Sequence, residues 1–156
     1  QRSGGPRDAV GWHGRMRTAA NEELKKLKVR KTSVADEFTG EPRLPRDQYV
    51  EGAKTCKITF SPMGWGEVTM RVFEAVVNGS LFVQPRVDHV EIHPDLIRPY
   101  ETYVPVEWDN SDLVEKVEHY LQHDDERNAI VENARQAYED YYRRERFVDD
   151  IAELLS

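Results

Sequence analysis

The chain predicts an α/β domain built on a parallel sheet, and three observations carry that prediction. Two short apolar segments, residues 57–61 and 80–84, are separated by a stretch of helical periodicity, which makes a βαβ unit. The second segment is apolar without alternation, as expected of a strand covered on both faces. A glycine-bearing turn, Pro62-Met-Gly-Trp-Gly66, joins the first segment to the helix. With 156 residues the chain is long enough for one domain with its own core.

The elements follow in order. Residues 1–13 are rich in Gly, Arg and Pro and show no periodicity, so they read as a flexible N-terminal segment ahead of a domain at 14–156. Over 14–27, Met16, Ala19, Ala20, Leu24 and Leu27 recur at helical spacing. A short strand is expected over 29–34, a loop over 39–46 around Gly40, Pro42 and Pro45, and a short helix over 47–53. The strand at 57–61 leads through the turn to a helix over 67–77 with Val68, Val72, Ala75 and Val76 on its apolar side. Asn78 and Gly79 close that helix, because both tolerate the left-handed conformation of a C-terminal cap. The same three residues, Asn78-Gly-Ser80, match a glycosylation sequon, but a helix-to-strand turn explains them more simply. Pro85 stops the second strand. A third is expected over 102–106, where Pro105 suits an end or an edge. Residues 109–112 offer several helix caps. The helix over 113–123 carries Leu113, Val117, Tyr120 and Leu121 on one face, and helices over 125–142 and 147–155 follow.

Composition excludes several functions. The net charge is −7, which argues against binding nucleic acid by phosphate neutralisation. No apolar run approaches the roughly 20 residues of a membrane span, so no transmembrane segment is expected. The first residues lack the apolar stretch of a signal peptide and an initiating Met, so the chain is expected to be processed or cut from a longer one. The single cysteine, Cys56, forms no disulfide within the chain; it is expected to be a buried, inert thiol in a reducing, cytoplasmic protein. Asp88, His89, Glu91, His93 and Asp95 make an acidic, His-bearing loop, but their spacing matches no compact ligand signature and no metal is expected.

The strand–turn–helix junction carries the chemistry. In open parallel sheets, ligands bind outside the carboxyl ends of the strands. Gly64 and Gly66 allow close approach to the backbone, and the following helix N-terminus offers free N–H groups to a phosphate or diphosphate. The alternative is a tight turn without a ligand. Trp65 either stacks on a base or sugar or packs under the turn. Glu67 and Glu74 stand seven residues apart with Arg71 between them, so one helical stripe carries acid, base, acid. The bland account of such a stripe is a solvated face with weak ion pairs. The chemical account is that Glu74, flanked by Phe73, Ala75 and Val76, accepts from the vicinal hydroxyls of a ribose while Arg71 clamps a diphosphate.

The stretch Ser61-Pro-Met-Gly-Trp-Gly-Glu-Val-Thr-Met-Arg-Val-Phe-Glu-Ala-Val-Val-Asn-Gly-Ser-Leu-Phe-Val83 resembles the donor half of retaining GT-B glycosyltransferases. It is most similar to the group 1 and spore-maturation (CgeB-like) branch, where an Arg-x-Phe-Glu-Ala helix is typical. The likeness continues through residues 100–106 and 111–117 to the helix at 125–134, and covers roughly residues 50–155. It implies a Rossmann-like, nucleotide-sugar-binding domain, half of a GT-B fold, with C-terminal helices that cross toward an N-terminal acceptor domain. It implies a nucleoside-diphosphate sugar as substrate and no further cofactor. Glu74 maps to the glutamate that binds the donor ribose, and His89 or Glu91 to a loop near the donor sugar. The family's paired glutamates have seven residues between them; here Gly66 holds the earlier position and Glu67 comes one residue later. Arg15, Arg17 and Lys57 are candidate diphosphate ligands by position only. Two other classes compete. One is a non-catalytic α/β module for protein interaction or assembly. The other is a dehydrogenase nucleotide domain, disfavoured because Thr69 stands where the third glycine of Gly-x-Gly-x-x-Gly belongs.

Overall fold

The computed structural model describes residues 11–28, 44–63 and 66–155. The strand expected over 29–34, most of the loop at 39–46, and Gly64 and Trp65 lie outside the described residues. The elements are α1 (Trp12–Leu24), α2 (Arg46–Thr55), β1 (Ile58–Phe60), α3 (Met70–Asn78), β2 (Leu81–Pro85), β3 (Val104–Val106), α4 (Leu113–Gln122), α5 (Asp124–Arg143) and α6 (Arg146–Leu154). The strands form a parallel sheet in the order β1-β2-β3, with Ile58 beside Leu81 and Val83 beside Val104. A small parallel sheet flanked by six helices among the described residues is the Rossmann-like α/β arrangement that the sequence predicts. No helix in the described residues is long and apolar enough to cross a membrane.

The unbroken apolar run of β2 has a direct structural cause. Successive side chains point to opposite faces of a strand, and both faces are covered. Leu81 and Val83 pack with Val104, Val106, Leu113, Val117 and Ile130, under α4 and the start of α5. Phe82 points the other way, toward Val72, Ala75, Tyr103 and Tyr138, under α3 and the end of α5. The 20-residue α5 is about 30 Å long and reaches both clusters, with Ile130 in one and Tyr138 in the other.

The ends of the elements follow local chemistry. Gly79 sits at φ 66° and closes α3: its N–H donates to the Val76 carbonyl and the Ser80 N–H to the Ala75 carbonyl, the paired bonds of a Schellman cap. Asp112 stands at the start of α4, but its carboxylate accepts the Glu107 N–H at 2.8 Å and pairs with Lys116 at 2.7 Å instead of capping the helix. Lys116 also donates to the Pro105 carbonyl at 2.6 Å. Burial alone would lower the Lys116 pKa; Asp112 and Tyr100 outweigh it and hold the ammonium above its ordinary value.

Two expectations are corrected. Cys56 is exposed, not buried, because it stands at the C-terminus of α2 one residue before Lys57, outside the strand. The helix after the turn begins at Met70 rather than Glu67, because Thr69 is extended at φ −116° and ψ 162°. Its hydroxyl lies 3.3 Å from that of buried Ser61, a tie that holds residues 66–69 against the end of β1 instead of coiling them. Val68 is accordingly exposed rather than part of the apolar side of the helix.

Candidate functional site

Because all three strands are parallel, the segments after their carboxyl ends lie on one edge of the sheet. Among the described residues these are 61–63 with 66–69, then 86–103, then 107–112. Each contributes a side chain to one small group. Glu67 comes from the first and His89 from the second, with His89 Nε2 3.5 Å from Glu67 Oε1. Trp108 comes from the segment after β3, and its ring lies 5.1 Å from the His89 imidazole at an interplanar angle of 59°. The α3 N-terminus, at Thr69, opens beside them with no side-chain cap on its first N–H groups, so its positive end is free to face an anion.

Glu74 lies on the second turn of α3, half-buried. Its Oε2 accepts a hydrogen bond from the Tyr49 hydroxyl at 2.6 Å, across the α2–α3 contact. Burial first, and the bond to Glu74 second, raise the Tyr49 phenol above its ordinary pKa, so the hydroxyl stays protonated and donating; nearby Arg71 acts the other way. Arg71 and Glu74 share α3, three residues apart. Glu67 does not share it, so the acid–base–acid stripe expected along one helix does not exist. Glu67 belongs with His89 on the loop side, and Arg71 and Glu74 with Tyr49 on the helix side. Gly66 is exposed, with nothing within 4 Å of where a Cβ would stand, so its backbone is open to approach. Gly64 and Trp65 cannot be placed within this group.

The other expected ligands fall elsewhere. Lys57 precedes β1, at the amino end of the sheet, and pairs with Asp124 at 3.3 Å, away from the carboxyl edge. Arg15 and Arg17 lie on α1, which packs on α4. The acidic loop splays apart: Asp88 pairs with Arg86, His89 with Glu67 and His93 with Asp150. Among the described residues no three His, Cys, Asp or Glu side chains come together as a metal site.

Next to the polar group opens an apolar cavity of about 620 Å³, walled by Phe73, Ile92, Ile97, Tyr138, Phe147 and Val148 among others. Glu67, Glu74 and His89 are not among its walls. The cavity is lined mainly by apolar side chains, whereas the carboxyl edge carries the charged ones.

Tyr49 and Trp108 are the members of the group that sequence reasoning missed. Tyr49 is an aromatic residue in a short helix with no buried residue, and Trp108 stands two residues after a buried strand. Those were the available signals, and neither says which partner the side chain meets.

No curated protein matches this chain. A family profile described as Glycosyl transferase-like matches residues 11–153, nearly the whole of the described structure. Its span includes α1 through most of α6 and every residue of the polar group at the carboxyl edge. The chain belongs to the glycosyl transferase-like family.

Proposed function

We propose that the carboxyl edge of the sheet is the donor site of a glycosyltransferase, binding a nucleoside-diphosphate sugar for transfer of a hexose-type sugar. The observation that carries this reading is the Glu74 carboxylate, held by Tyr49 on the helix that rises from the open end of β1. Such a carboxylate accepts from both hydroxyls of a ribose. The uncapped α3 N-terminus and Gly66 receive the diphosphate, and Arg71 neutralises it. Glu67 and His89 meet the sugar, with Trp108 behind them. Gly64 and Trp65, proposed for the same site, lie outside the described residues. The nucleotide sugar is the substrate, and the reading calls for no other cofactor and no metal.

In this reading the chain is the C-terminal half of a GT-B enzyme of the group 1 or CgeB-like branch, and turnover needs an N-terminal acceptor domain. The exposed apolar residues of α6 would face that domain. A single, free cysteine suits a reducing compartment, and we assign the protein to the cytoplasm.

Calorimetric titration with UDP, GDP and ADP tests the reading. One of the three is expected to bind below millimolar. Glu74→Gln keeps an acceptor for Tyr49 but loses the charge that draws sugar hydroxyls, and should weaken binding about tenfold or more with little change in melting temperature. A folded protein that binds none of the three below millimolar ends the donor-site claim.

A further inference from the structure

Glu74 is the residue on which the donor-site reading turns, and the geometry around it reaches past that reading. We propose that Tyr49 is a positioning residue for ribose recognition, whose hydroxyl fixes the Glu74 carboxylate so that its remaining acceptor positions face two vicinal hydroxyls together. The proposal rests on the donor-site reading and adds a residue that neither the charge pattern of α3 nor the family membership names.

The contact is specific. The Tyr49 hydroxyl donates to Glu74 Oε2 at 2.6 Å over 25 residues of sequence. Tyr49 sits on α2, a helix with no buried residue, which packs on α3. A helix of that kind gains little from apolar burial, so a short bond to a carboxylate is a sizeable part of what its contact with α3 provides. Arg71 stands one helical turn before Glu74 on α3, and its charge acts on the same phenol.

The chemistry follows from counting acceptors. A carboxylate offers about four lone-pair positions on two oxygens. A free glutamate side chain spreads them over many rotamers, and a ligand that orders it loses that freedom as affinity. A phenol on Oε2 removes the freedom before the ligand arrives. It occupies one position and leaves Oε1 and the second position of Oε2 for a cis-diol. Phenol and diol therefore do not compete; the first orients the acceptor of the second. The specificity that results is for ribose over 2′-deoxyribose, because the deoxy sugar leaves an oriented acceptor unfilled.

The experiment compares the tightest-binding of UDP, GDP and ADP with its 2′-deoxy form, by calorimetry, on the full chain and on Tyr49→Phe. The unsubstituted protein should prefer the ribose form by about tenfold, the worth of one hydrogen bond to a charged group. Tyr49→Phe should narrow that preference to about twofold while affinity for the deoxy form stays within about twofold. Tyr49→Leu, which removes the ring as well, should narrow it likewise. A bond that merely props α2 against α3 would lower the melting temperature and weaken both nucleotides equally. An unchanged ribose preference in Tyr49→Phe or Tyr49→Leu overturns the proposal and leaves the donor-site reading standing. Failure of the folded, unsubstituted protein to bind any of the three overturns both.

Discussion

Single side chains here answer to their burial. Tyr138 is buried beneath Phe73, whose ring meets it edge-on at a centroid distance of 5.7 Å. Burial pushes its phenol up to about 12. A folded-state pKa above the unfolded value near 10 contributes stability that is fully present below pH 10 and lost as pH rises through about 12. Melting temperature should therefore fall across that window, and Tyr138→Phe, which removes the ionisable oxygen, should flatten the fall. An unchanged slope in the variant would show that other tyrosines govern it. Tyr103 and Tyr120 are also raised, chiefly by burial, so the variant is expected to flatten the slope in part. Residue-scale pairings were the least legible in the sequence. Local period sees neighbours three or four apart, and the Tyr49–Glu74 bond spans 25 residues. Cys56 misled for the related reason that its apolar neighbours lie only on its C-terminal side, while its own backbone ends a solvated helix.

Secondary elements carried stronger signals. The strand β2 was legible because Leu81, Phe82 and Val83 run on without a polar residue between them, as a strand covered on both faces requires. The close of α3 was legible because Asn-Gly has a specific backbone use. Nothing lies within 4 Å of where a Cβ would stand on Gly79, so Gly79→Ala meets strain without a clash. It should cost about 1–2 kcal/mol, the left-handed penalty of an L-residue, measured by denaturant unfolding. A cost near zero would mean that the cap relaxes to another conformation. The start of α3 was not legible. Glu67, Val68 and Thr69 fit a helical period, but a hydroxyl tie to Ser61 and the contact of Glu67 with His89 hold them out of it. Periodicity registers what a segment would bury, not what its ends are tethered to.

At the scale of the whole molecule, the described structure is unevenly anchored. β2, β3, α4 and the two ends of α5 share the buried clusters, whereas α6 keeps Phe147, Val148 and Ile151 exposed, and Leu155 just after it is exposed too. Asp150 ties α6 to its surroundings: it accepts from the Tyr141 hydroxyl at 2.9 Å and pairs with His93 at 3.1 Å. A nine-residue helix is marginal without packing. Its amides should therefore exchange with solvent by local opening, well before those of α4 and α5. Asp150→Ala should speed that exchange further and leave α4 unaffected. Protection of α6 equal to that of α5 would show that the helix is anchored by more than Asp150. Fold class was legible because it depends on element type and order, which local pattern reports. The candidate site was legible only as a location, since the carboxyl edge follows from parallel strands but its side-chain partners follow from packing.

Among the described residues, β3 forms an edge of the sheet with a property of a different kind. The Arg86 N–H donates to the Val106 carbonyl at 2.9 Å, so Val106 faces β2 and its neighbour Pro105 faces outward. Pro105 has no N–H to offer, and its outward carbonyl is taken by Lys116 at 2.6 Å. A strand from another molecule arriving at that edge finds at residue 105 neither a donor nor a free acceptor. Edge-to-edge growth of the kind that seeds fibres is blocked on this side by one imino acid and one lysine.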